Sequence, residues 1–476
     1  MYGEYEAVIG LEIHAQMFTL AKCFSSASTN FGLGNNENVT EVCAGMPGTL
    51  PVLNKKAVEL SVKTGLALNC DIQIYSVFDR KQYFYPDMPK GYQITQLEKP
   101  IALGGYVDFF LDGEKKRVHL ERAHMEEDAG KSTHHGEYTL INLNRAGTPL
   151  LEIVSAPEMT TPKEAAAYAK AVRQILRYTE VCDGNLEEGS MRCDCNVSVR
   201  RKGEKELGTK VELKNINSFR FIEKAVEYEI HRQIDCIQSG EEIFQETRLY
   251  DSAKNKTFSM RKKEAANDYR YFPDPDLLPL ILEQPWVDEI KKNLPEMPME
   301  KQERFISDYS LSVSESDLLT GEKEFSDFYE DVVKICKNPK LAANWMMGEF
   351  LRLFNESKVE INQLPIGPEQ LGKLIQMIDK KELSGKMAKE VFEKLWETGR
   401  DPQDLVKEMG MSQITDEDAI LKIVRGVLDN NLKSVAEYKA GKEKLYGFFV
   451  GQVMKQTKGQ ANPEAVNKIL KKELSK

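Results

Sequence analysis

The chain has 476 residues, 41% hydrophobic and 29% charged, which is enough for about two to four domain cores and excludes wholesale disorder. Its 65 Lys and Arg stand against 75 Asp and Glu, and a formal charge of −10 excludes a polybasic nucleic-acid coat. Eight Cys are too sparse for a disulfide scaffold, no run of 18 apolar residues occurs, and the opening residues lack the pattern of an export signal, so a soluble cytoplasmic protein is expected.

In chain order, Ala7, Ile9, Leu11, Ile13, Ala15 and Met17 share one face at period two, while Val8, Gly10, Glu12, His14 and Gln16 share the other, which predicts a half-buried strand. The segment Arg80 to Gln96, with three successive aromatics and two Lys around Pro86 and Pro89, is too irregular for a regular element and reads as an ordered loop. Pro162 to Thr179, capped by Thr161, and Phe219 to Gln233, capped by Ser218, predict helices that back the sheet. Between them, Ser190 to Arg200 alternates like the first strand, with Cys193 and Cys195 on the apolar face opposite Arg192, Asp194 and Asn196. The first part of the chain therefore reads as α+β with a largely antiparallel sheet.

Prolines 285, 295 and 298 mark a boundary near residue 292, and beyond it the pattern is helical. Leu341 to Phe354 and Met387 to Trp396 read as bundle helices of a domain over 293–402. A tail module over 403–476 ends in a helix capped by Asn462 with Pro463 in its first turn. From Lys439 to Lys476 nine Lys face three acids, so the positive charge is concentrated at the C-terminus.

Common nucleotide signatures fail. Ala129-Gly130-Lys131-Ser132 ends like a phosphate-binding loop, but Met125 stands where the first Gly is required, and no GxGxxG opens a helix. Cys182, Cys193 and Cys195 lack the paired CxxC spacing of a structural zinc site and suit core packing. Glu12 and His14, two apart on a strand, point the same way; with Asp194 and the run Glu126-Glu127-Asp128 they suit a hard divalent cation shared with phosphate oxygens. The opposing reading, an edge strand facing solvent and a plain acidic turn, stays open at this point. So do the two readings of Tyr83 to Tyr85, as a platform that holds a base beside Lys81 and Lys90 or as a cover for the core.

The runs YEAVIGLEIHAQ, FDRKQYFYPDMPKGYQITQ, LERAHMEEDAGKS, NLNRAGTPLLEIVSAPEM, GSMRCDCNVSVR, VELKNINSFRFIEKAVEYEI and DYRYFPDPDL resemble the signature blocks of the GatB/GatE family, the B subunits of the aspartyl/glutamyl-tRNA amidotransferases, and GQVMKQTKGQANPEAVNKIL resembles that family's tail domain. The matches run in order from residue 5 to the end. The resemblance implies a cradle-like catalytic domain over 1–292, a helical domain and a tRNA-binding tail. It implies that ATP activates the side-chain carboxylate of mischarged Glu-tRNA(Gln) or Asp-tRNA(Asn), and that ammonia from a glutaminase partner then displaces phosphate. A carboxylate is a poor acyl electrophile until phosphorylation gives it a leaving group, and phosphoryl transfer between anions needs cations at the developing charge.

Carried over by residue, the resemblance makes His14 and Glu127 ligands of Mg²⁺, with Glu12 and Asp194 as further ligands and Glu152 completing an acidic ring. Lys81 falls at the mouth of the ammonia path, where it pairs with Glu127. Catalysis is thus expected from Lys81, Glu127, Glu152 and Asp194, and ATP contacts from Tyr83, Lys90 and Arg192. The implied partners are the small stabilising C subunit, the glutaminase (amidase) A subunit, and tRNA(Gln) or tRNA(Asn), with no membrane; no glutaminase signature is present in this chain. In relatives that bind zinc through CxC and CxxC, three of the four positions correspond here to Ser25, Ala27 and Thr40, and only Cys43 matches, so no zinc is expected.

Overall fold

The computed structural model describes residues 2–262, 269–411, 417–457 and 460–475; Lys458 and Lys476 of the basic tail lie outside them. Two compact units divide the chain, Met1–Lys301 and Gln302–Lys476. The first is built on a ten-stranded sheet. In spatial order its strands are Lys256–Lys262, Glu246–Asp251, Val211–Lys214, Met191–Arg201, Tyr5–Gln16, Pro149–Ser155, Glu114–Glu127, Ala102–Leu103 and Asp71–Ile72, with Tyr106–Leu111 also paired to Glu114–Glu127. All pairs are antiparallel except Val211–Lys214 with Glu246–Asp251. The α+β expectation holds.

The first strand is central rather than marginal, flanked by Pro149–Ser155 and Met191–Arg201. Its alternation is the cause: Ile9, Leu11, Ile13 and Ala15 are buried in the core, while Glu12, His14 and Gln16 are only half-buried on the other face. Cys193 and Cys195 join the same core. Helices Pro162–Tyr178 and Phe219–Ser239 pack on that apolar face, each started by a side-chain cap, Thr161 on Glu164 N at 3.2 Å and Ser218 on Phe221 N at 3.2 Å. Such a cap contributes about 1 kcal/mol, and each fully buried aliphatic side chain about 1.5–3 kcal/mol, so burial of the apolar face dominates.

The segment Arg80 to Gln96 differs from its expectation. It contains two short strands, Asp79–Gln82 and Tyr92–Thr95, paired antiparallel with Lys81 opposite Gln93. Asp79–Gln82 has no apolar residue and Tyr92–Thr95 alternates over only four residues, so the pair carries little periodic signal and is joined through its backbone groups.

The second unit is helical and holds two apolar cores, one from Phe305 to Leu405 and one from Ile420 to Leu474. Leu341 to Phe354 lies in a continuous helical run, Pro339–Trp345, Met346–Phe350 and Leu351–Ser357, whose middle turn is a π-helix. The helix Gly385–Thr398 covers Met387 to Trp396. Asn462 caps Pro463–Leu474 as expected, accepting from Glu464 N and Ala465 N. No helix among the described residues is long and apolar enough to cross a membrane.

Candidate active site

The polar face of the sheet forms the floor of a cavity of about 780 Å³. Strand register writes its chemistry. His124, Glu152, His14 and Arg192 are successive cross-strand partners, and one step along, Glu12 lies opposite Asp194. His14 Nε2 is 3.2 Å from Glu152 Oε2 and 3.6 Å from Glu126 Oε1, and His124 Nε2 is 3.6 Å from Glu152 Oε2. Beside this group stands a second: Glu12, Asp194 and Glu212, with Lys214 Nζ 2.6 Å from Asp194 Oδ2 and Asn196 Nδ2 donating to Glu12 Oε1 at 2.8 Å. Arg192 and Gln16 hold the buried Asp128, at 3.0 and 2.8 Å.

Burial and charge divide these groups. Glu126 is pushed up to about 7, first by burial and then by the neighbouring Glu152 carboxylate. Glu152 goes the other way: burial opposes its charge, but His124, His14 and Lys81 together hold it well below the usual carboxylate range. Burial likewise opposes a charge on His14, yet Glu152, Glu126 and Asp194 raise it to about 9. His124, which lacks that many carboxylates, is pushed down by burial to about 4 and stays a neutral imidazole.

The donors of His14, Glu126 and Glu152 lie within 4.8 Å of one another, as do those of Glu12, Asp194 and Glu212. The buried Nδ1 of His14 and Oδ1 of Asn196 have no protein partner. An imidazole among carboxylates, with two of its neighbours competing for one proton, fits a hard divalent cation, which relieves their repulsion.

Of the residues singled out from sequence, Glu12, His14, Lys81, Tyr83, Glu152, Arg192 and Asp194 line this one cavity. Lys81 lies 4.8 Å from the centre of the Tyr269 ring and faces Tyr271, Glu126 and Glu152. Tyr83 stacks on Tyr85 at 4.6 Å, and Phe84 and Tyr85 are mostly exposed, so this trio does not cover a core. Glu127 and Lys90 stand apart. Glu127, expected as a metal ligand and as the partner of Lys81, points to the reverse of its strand, where it accepts from Lys90 Nζ and, at 3.0 Å, from Ile94 N. Glu126 takes the place beside His14. The signal was present in the alternation His124, Met125, Glu126, Glu127, because a strand that buries Met125 must turn His124 and Glu126 together to the other face. The same rule finds Glu212 and Lys214 opposite buried Val211 and Leu213.

The sequence has relatives of known name along its whole length. Residues 7–288 match the GatB/GatE catalytic domain and residues 327–474 the GatB domain. The B subunit of the aspartyl/glutamyl-tRNA(Asn/Gln) amidotransferase of Bdellovibrio bacteriovorus is 60% identical over 471 residues, covering 99% of each chain. The chain belongs to this GatB family. Further members, from Thermodesulfovibrio yellowstonii at 54% identity, covering 98% of each chain, and Persephonella marina at 52%, covering 98% of this chain and 99% of the other, match along the same length. The match to the GatB/GatE catalytic domain contains every residue of the cavity described above.

Proposed function

We propose that this chain is the activating and amidating subunit of an aspartyl/glutamyl-tRNA(Asn/Gln) amidotransferase, a cytoplasmic ligase that works with a glutaminase subunit and a small third subunit. The observation that carries the reading is the cavity that gathers two clusters of carboxylates with the cations Lys81, Arg122, Arg192 and Lys214. The side-chain carboxylate of Glu-tRNA(Gln) or Asp-tRNA(Asn) takes the γ-phosphoryl group of ATP, releasing ADP; ammonia then attacks the acyl carbon, and phosphate leaves with the electrons of its bond.

His14, Glu126 and Glu152 would hold Mg²⁺, with Glu12, Asp194 and Glu212 as a neighbouring acidic set. Bound there, the ion supplies charge neutralisation for the transferring phosphoryl oxygens. Lys81 and Arg192 offer fixed positive charge to anionic oxygens inside a cavity walled by protein, where such charge counts for more than in water. Tyr83, Tyr269 and Tyr271 offer aromatic faces to a base or to the terminal adenosine of tRNA. Glu127 is a positioning residue: by holding Lys90 and the backbone of Ile94 it fixes the hairpin that carries Lys81 and Tyr83. The helical region 293–402 and the basic tail 403–476 hold tRNA through phosphate contacts.

The test is ATP-dependent conversion of Glu-tRNA(Gln) to Gln-tRNA(Gln) by the reconstituted complex, with glutamine or ammonium as donor. Conversion with either donor supports the reading; tRNA binding without ADP formation, for Glu-tRNA(Gln) and Asp-tRNA(Asn) alike, refutes it.

A further inference from the structure

Between Gln16 and Lys55 the chain forms no helix or strand, only an isolated bridge from Ala21 to Ser28. Something other than regular structure must hold it. At its centre is Lys22, 1% exposed, whose Nζ donates to Asn38 O at 2.6 Å, Leu143 O at 3.2 Å and Cys43 Sγ at 3.5 Å. Among the described residues no carboxylate lies within ion-pair distance of it; Glu127, which acts on Lys22 from further off, is tied to Lys90. The Cys43 sulfur, itself buried, also lies 3.3 Å from Ser25 Oγ and 3.4 Å from Thr40 Oγ1.

Three acceptors around Nζ match the three N–H bonds of an ammonium. Around the sulfur the count is reversed. A neutral thiol is a poor acceptor with one proton to give, whereas three potential donors converge here. A buried charge needs a partner, and among the described residues the thiol is the one side chain in hydrogen-bond reach of this ammonium that can become an anion.

We propose that Cys43 is ionised in the folded protein and forms with Lys22 a buried thiolate–ammonium pair that fastens residues 17–54 to the loop entering the strand Pro149–Ser155. The loop side is supplied by Leu143 O and by Gly147, whose carbonyl accepts from Cys23 N at 2.8 Å. Gly147 has φ +84°, and a Cβ there would meet the Lys22 side chain at 3.4 Å, so its lack of a side chain lets the lysine pass. Burial opposes both charges: it holds Lys22 below its ordinary value against the pull of Cys43 and Glu127, whereas at Cys43 the hydroxyls of Ser25 and Thr40, the Thr40 backbone and Lys22 outweigh it and bring the thiol below its own. Burial instead pushes Cys70 and Cys182 up to about 12. The ammonium is already the cation of this cluster, and one thiol does not make a zinc site.

The test uses the full-length chain and no activity, so it is independent of the amidation reading. Ultraviolet thiolate absorbance is followed against pH for wild type and Cys43→Ser. The difference should titrate as one group with its midpoint below about 7, well under the value of about 8.5 for an unfolded cysteine, and Lys22→Met should raise the midpoint by about one unit or more. A wild-type midpoint above about 7, or one unmoved by Lys22→Met, overturns the pair. Should Lys22→Met not fold, Ser25→Ala and Thr40→Val replace it, each raising the midpoint; no rise in either overturns the proposal, as does one stoichiometric zinc per chain by elemental analysis. Cys43→Ala should also be cut several times faster by protease within 17–54, and unchanged cutting removes the fastening role.

Discussion

Glu126 and Glu127 are adjacent in sequence and equally buried, yet they sit in opposite surroundings because a strand turns successive side chains to opposite faces. On the cavity face Glu126 has another carboxylate beside it and is pushed up to about 7. On the reverse face Glu127 has a lysine and a backbone N–H. The cavity face holds excess negative charge at a cost to stability, which is what a site awaiting a cation and a polyphosphate requires; the reverse face is satisfied within the protein and stabilises the fold.

The largest expected effect breaks the cavity face. His14→Ala or Glu152→Gln should lower ATP-dependent amide formation by about a hundredfold to a thousandfold, with glutamine and with ammonium alike, while glutamine hydrolysis by the partner subunit persists. Transamidation at wild-type rate in either variant would remove the cavity from the chemistry.

Stability separates the two glutamates by sign. Glu127→Gln leaves Lys90 buried without its counter-charge and should cost on the order of 3 kcal/mol, read as a lower Tm. Glu126→Gln removes a repelling carboxylate and should leave Tm unchanged or higher above neutral pH. A lower Tm for both would erase the contrast between the faces.

The pH dependence of cation binding sharpens the same contrast. An acid whose folded pKa is raised destabilises the fold as pH climbs from its unfolded value to its folded one, so Glu126 weakens the ion-free protein up to about pH 7. A cation must displace protons from Glu126 and from His14, which holds its proton to about 9. The rise in Tm on adding Mg²⁺ should therefore grow from pH 6 to pH 8 (about the interval in which unperturbed histidine also changes charge), and Glu126→Gln should flatten it. A shift independent of pH would place the cation elsewhere.

The smallest effect concerns the basic tail. Each of Lys442→Ala, Lys444→Ala and Lys455→Ala should weaken tRNA binding slightly and reduce the slope of log affinity against log salt by about 1. An unchanged slope in the triple variant would take these lysines off the phosphate backbone.

What was legible in the sequence is what local periodicity encodes. The strands around His14 and Asp194 and the helices capped by Thr161, Ser218 and Asn462 declare themselves through alternation, stripes and caps, all within a few residues. Register does not, because the meeting of His14 with Glu152 is set by pairing across 138 residues of chain. Glu126 was readable in principle: the parity that buries Met125 excludes Glu127 from the cavity, and a list of acidic residues without parity cannot choose between them. The hairpin carrying Lys81 is hidden because Asp79–Gln82 has no apolar residue and the alternation of Tyr92–Thr95 spans only four, and the Lys22 to Cys43 contact because it is formed by chain without regular structure.

The most direct measurement is Gln-tRNA(Gln) and ADP formation by the reconstituted complex with ammonium as donor, comparing wild type, Glu126→Gln and Glu127→Gln. The cavity account predicts coupled ADP and amide in wild type, near loss of both in Glu126→Gln, and retention of ATP-dependent chemistry in Glu127→Gln at a temperature where it stays folded. Loss in Glu127→Gln with full activity in Glu126→Gln would contradict it.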